Sequence, residues 1–85
     1  MANRKFTGEY KKAIMYFKGE VLDFFETGSY NLIFKIMKDH IFISNIPENE
    51  YKYIRLEIFS KYKDKEPSEM YELVGGHWKL NDTLF

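Results

Sequence analysis

Two histidines, His40 and His77, are the side chains of this sequence best suited to moving a proton near neutral pH. Each has a carboxylate nearby, Asp39 for one and Glu72 for the other, so each could serve as a general base or contribute to a metal site. Both requirements are geometric. The histidines lie far apart in the chain and each sits beside a predicted turn, which reads more simply as two strand-end residues in contact with water. Nucleophile candidates are limited to Ser29, Ser44, Ser60, Ser68 and three threonines, none of them in a strand–turn–helix elbow. The acidic pairs Glu48/Glu50 and Glu66/Glu69 fall in polar stretches where solvated charge is ordinary. No glycine-rich phosphate loop and no HExxH pair occurs. The expectation is a non-enzyme with no cofactor and no metal.

Composition narrows the classes further. The 85 residues are enough for one domain over 1–85, with a small core. Aromatic residues make up 19% of the chain, and each buried Phe or Tyr removes about 150–250 Å² from water, which offsets the short length. Thirteen basic side chains balance thirteen acidic ones, so no global field steers the molecule toward nucleic acid. Cysteine is absent, which excludes disulfides and thiolate metal sites and fits a reducing compartment. The first ten residues carry no apolar core of a signal peptide, and no apolar run approaches the roughly 20 residues needed to span a bilayer. A soluble, cytoplasmic protein is expected, with no membrane partner. The preference for Lys, Ile, Tyr, Phe and Asn matches A/T-rich codons, a bias shared by small proteins of phages and mobile elements.

The elements follow from periodicity. Thr7 is a candidate N-cap with Glu9 in the first turn, and Tyr10, Ala13, Ile14, Phe17, Val21, Phe24 and Phe25 fall on one side of a helical wheel. With Gly28 as the terminating glycine, this predicts a helix over 8–27, with Gly19 inside it at a cost of about 1 kcal/mol. The period then changes to two. Residues 30–37 and 40–44 read as a hairpin about Lys38-Asp39, pairing Ile36 with Ile41 and Phe34 with Ile43. Leu32, Phe34, Ile36, Ile41 and Ile43 then share one face, and Ile33, Lys35, Met37, His40 and Phe42 the other. Lys-Asp is a poor two-residue turn, so a four-residue loop is expected there.

Pro47–Glu50 and residues 63–67 read as loops. A strand over 51–62 puts Ile54, Leu56 and Ile58 on one face and Tyr51, Tyr53, Arg55, Glu57, Phe59 and Lys61 on the other. For residues 68–80 two readings stay open. A Gly75-Gly76 hairpin pairs Leu73 with Trp78, Tyr71 with Leu80 and Glu72 with Lys79. Alternatively, Pro67 opens a short helix over 68–74 that Gly75 ends. The hairpin explains more and is preferred. The sum is an α+β fold, one N-terminal helix packed on a four- to five-stranded antiparallel sheet in an α-β-β-β-β-β meander.

Such a layout leaves one sheet face without a helix. That face is expected to carry Ile33, Met37, Phe42, Tyr51, Tyr53, Arg55 and Phe59, the aromatic and arginine mixture used at interface centres. The C-terminal residues 81–85 could cover it instead. A second surface is expected on the helix, where Met15, Gly19 and Leu22 follow i, i+4, i+7 spacing. Trp78 is expected in the core, its indole N–H satisfied by a carbonyl. The functional expectation is a small protein-binding module acting through a pre-formed surface, an inhibitor of a host enzyme or defence system if encoded by a phage or mobile element, or a homodimer. The alternative is single-stranded nucleic-acid binding on the sheet aromatics, against which the zero net charge argues.

Overall fold

Lys18 and Gly19 both have positive φ, 55° and 85°, and this one turn reorganises the first third of the chain. Two consecutive residues at positive φ make the two-residue turn whose twist matches a β-hairpin. In the computed structural model, which describes residues 11–61 and 63–81, the segment expected as a helix is therefore two antiparallel strands, β1 (Lys11–Phe17) and β2 (Glu20–Thr27). The helical spacing was coincidental. Both faces of this hairpin carry apolar side chains, so enough positions are filled to satisfy a 3.6-residue period as well as a two-residue one. The expected cap, Thr7 with Glu9 and Tyr10, lies outside the described residues. Gly28 is not in the left-handed conformation that a helix-ending glycine would take.

The opposite exchange occurs next. Residues expected as a hairpin form a helix, α1 (Tyr30–Ile43). Ser29 caps it, its hydroxyl accepting from the Leu32 amide at 3.2 Å. Ile33, Met37 and Ile41, four residues apart, face inward, and Lys35 meets Asp39 at 3.0 Å on the outer side. The Lys38-Asp39 pair that made a poor turn is comfortable in the helix. Ser44 ends the helix, its amide bonding the His40 carbonyl at 2.9 Å, and Asn45 follows at φ 59°.

Pro47 then leads a short 3₁₀ helix, Glu48–Tyr53, so Tyr51 and Tyr53 precede the next strand instead of belonging to it. That strand, β3 (Ile54–Phe59), is shorter than expected but keeps the expected faces: Ile54, Leu56 and Ile58 are buried toward the helix. The glycine pair forms the expected hairpin between β4 (Glu69–Val74) and β5 (His77–Leu80). Its register is as read from the sequence, with Tyr71 opposite Leu80, Glu72 opposite Lys79 and Leu73 opposite Trp78. Residues 63–67 are irregular, as expected.

The result is an open five-stranded antiparallel sheet in the order β2-β1-β3-β4-β5 with α1 across one face. The α+β class holds, but the helix follows two strands and is not N-terminal. Met15 and Leu56 are opposite one another in adjacent central strands, and with Ala13, Ile54, Ile58, Leu73 and the inner face of α1 they form the core. Burying each such side chain contributes about 1.5–3 kcal/mol. Among the described residues no helix is long and apolar enough to cross a membrane.

Candidate interaction surface

Strand β2 is an edge of the sheet, with β1 as its one neighbour among the described residues. A bulge between Met15 and Tyr16 on β1 leaves Leu22 as the extra residue on β2, turning the strand beyond it. Val21 lies opposite Tyr16 and Phe24 opposite Ile14, so both stand on the sheet face without the helix, 62% and 49% exposed. On the other face, the flank of α1 turned toward β2 carries Leu32 and Ile43, 41% and 74% exposed, with Ile36 between them. Phe42, 83% exposed, extends the apolar surface around the helix end. Among the described residues, five of the eight exposed large apolar side chains therefore sit on the β2–α1 unit.

One hydrogen bond ties the two halves of this surface together. The Nδ1 of His40, in the last turn of α1, donates to Oδ2 of Asp23 at 2.8 Å. The other oxygen of Asp23 accepts from the amide of Phe24, also at 2.8 Å. That amide thus points away from β1, and Asp23 occupies a donor that a bare strand edge would expose. Asp23, Ile36, Asp39, His40 and Ile43 line an open depression of about 310 Å³ between strand and helix.

The residues singled out from the sequence scatter. Ile33 and Met37 are fully buried in α1 against the sheet, and Met15 is fully buried in β1. They are core residues, because the elements assigned to them exchanged period and hence face. Leu22 and Tyr51 are half-buried against the same core. Gly19 allows no close approach of a second backbone: a methyl group there would meet nothing within 4 Å, and its role is the positive φ of the turn. Phe59 does face away from the helix but is only 5% exposed, with the Lys12 ammonium 4.4 Å above its ring. Arg55 and Tyr53 remain accessible, and with Gly19 they line a smaller cleft of about 180 Å³ beside Tyr16, Lys52 and Glu72.

The smaller cleft is largely satisfied within itself. The Arg55 guanidinium lies 5.3 Å over the Tyr16 ring, and its Nε is 3.5 Å from Glu57. Burial, and then the neighbouring Glu57 carboxylate, push the Tyr16 hydroxyl above its ordinary pKa. Lys18 reaches Glu50 at 3.5 Å and stands 5.4 Å from the Tyr53 ring.

Of the two histidines, His40 lies beside β2 and His77 opens β5, at the two ends of the strand order, so they do not meet. Among the described residues no three His, Cys, Asp or Glu side chains are grouped to hold a metal ion. The residues missed from the sequence are Val21, Phe24, Leu32, Ile36 and Ile43, all assigned there to buried stripes. The Lys18-Gly19 turn and the Ser29 cap were the local signals that would have released them. Comparison of the chain with protein-family models, curated proteins and solved structures finds no match.

Proposed function

We propose that this chain is a non-enzymatic protein-binding module whose contact surface is the β2–α1 edge. The observation that supports this reading is the concentration of exposed apolar side chains there, Val21 and Phe24 on one side of the edge and Leu32 and Ile43 on the other, with the half-buried Ile36 between the last two. A partner strand or helix laid along β2 would touch both sets at once. Backbone groups at the edge would supply hydrogen bonds and the flanking side chains selectivity, as in strand addition to a sheet. The nucleic-acid alternative has weaker support. Two of the aromatic rings expected as stacking platforms are spent inside the molecule, Phe59 under Lys12 and Tyr51 half-buried against the core, and the net charge is zero.

The test is a photo-crosslinking amino acid at Ile43, activated in the living source cell. The expected result is a discrete protein adduct that disappears when Phe24→Lys is added. Absence of any discrete adduct, or one that survives Phe24→Lys, overturns the reading.

A further inference from the structure

We infer that the partner seated on the β2–α1 edge is a second copy of this chain, paired about a two-fold axis that passes beside Phe24; this rests on the binding-surface reading above. Antiparallel pairing of β2 with its copy joins two five-stranded sheets edge to edge and keeps both helices on the same face. The Phe24 amide is directed away from β1, so it is a donor available to that pairing once Asp23 releases it.

The strand and the helix agree on where the axis lies. With Phe24 opposite Phe24, Asp23 falls opposite Phe25, Glu26 opposite Leu22 and Glu20 opposite Gly28 of the copy, so no carboxylate faces another. The helix gives an independent check. His40 is held level with Asp23, one strand residue from Phe24. One strand residue is about 3.4 Å and one helix residue about 1.5 Å, and α1 runs opposite to β2, so the axis meets the helix about two residues before His40. About that point Leu32 and Ile43 are symmetry mates: Leu32 of one copy comes level with Ile43 of the other, and Ile36 and Lys35 with Asp39 and His40. Leu32 and Ile43, the two exposed apolar positions of this helix flank, are thus matched about the axis that the strand selects. A foreign partner would not require that symmetry.

Charge agrees. Asp23, the carboxylate of β2 nearest the axis, is already answered within the chain by His40, while Glu20 and Glu26 fall opposite Gly28 and Leu22 of the copy and meet no like charge there.

The experiment is light scattering on the full chain over a micromolar concentration series, for the wild type, Phe24→Lys and Ile43→Lys. Both positions are exposed, so helix and sheet content by circular dichroism is expected to be unchanged. The wild type should approach twice the 10.3 kDa chain mass and each variant should return to one chain. A wild type that stays monomeric, or a dimer that survives both substitutions, overturns the inference. The crosslinker at Ile43 separates this failure from that of the broader reading. An adduct of two copies supports self-pairing. An adduct to a different protein alone overturns self-pairing and keeps the module. No adduct overturns both.

Discussion

Trp78 donates its indole N–H to the main-chain carbonyl of Phe34 at 3.2 Å, fastening the edge strand β5 to the helix across the sheet. The two rings also stack, with centroids 6.4 Å apart, and Tyr71 meets Phe34 edge-on at 5.0 Å. Trp78→Phe keeps most of the ring contact and removes the donor, and it should cost about 1 kcal/mol. Trp78→Ala removes both and should cost about 3 kcal/mol, the low end for an aromatic truncation because the residue is only half-buried. Urea unfolding followed by circular dichroism checks both. Equal losses for the two variants would mean the hydrogen bond, not the packing, fastens β5.

Gly19 decides between two structures by the sign of a single substitution. In a helix, Gly19→Ala would stabilise by about 1 kcal/mol. At φ 85° in the turn between β1 and β2, the added methyl meets no neighbouring atom, so only the backbone conformation matters. Left-handed backbone costs a non-glycine residue about 1–2 kcal/mol, so the substitution should destabilise. The urea midpoint gives the sign directly, and a stabilised variant would contradict the hairpin.

These residues also show why part of the fold could be read from the chain and part could not. The faces of 54–59 were readable because Ile54, Leu56 and Ile58 alternate cleanly with Arg55, Glu57 and Phe59. The β4–β5 register was readable because one Gly-Gly turn set an apolar, an aromatic and an opposite-charge pair in place together. Residues 11–27 and 30–43 each satisfy both periods. In 30–37 the even positions are all apolar, yet Ile33, Met37 and Ile41 also fall four apart. Periodicity cannot separate those cases, and the choice passes to a few local groups: the positive φ that Lys18-Gly19 adopts and the hydroxyl of Ser29. Exchanging the two periods exchanges buried for exposed. Met37 and Ile33 therefore left the surface, while Val21, Phe24 and Ile43 joined it. Trp78 kept its expected place because its role depends on the hairpin that was read correctly.

Ser29 carries the start of the helix. Its hydroxyl satisfies one of the four amides that the first turn leaves without an intrahelical partner. Ser29→Ala should cost about 1 kcal/mol, and Ser29→Asp should retain the cap and add a favourable charge at the positive end of the helix dipole. Because Ser29 is exposed, neither change disturbs packing, and the two variants should differ in urea midpoint in that order. Equal stabilities would remove the cap as the reason this segment is helical.

Stability should fall on the alkaline side through a small set of tyrosines. Tyr71 donates to Glu69 Oε1 at 3.1 Å. Burial first, then the bond to Glu69 and its charge, raise the Tyr71 hydroxyl from 10.0 to about 12. Burial and the same carboxylate raise Tyr30 as well. The folded state therefore holds these protons after the unfolded chain has begun to lose them. The contribution to stability is complete below pH 10, and because the unfolded state binds fewer protons it declines as pH rises from 10 toward 12. Urea midpoints measured across that window should drop for the wild type and drop less for Tyr71→Phe. The tyrosinate absorbance of the folded wild type should show fewer hydroxyls titrating near pH 10 than the unfolded chain has, with Tyr16, Tyr30 and Tyr71 titrating later. A titration in which Tyr71→Phe and wild type fall together would place the alkaline loss on other groups, and the Tyr71–Glu69 bond would then contribute nothing to it.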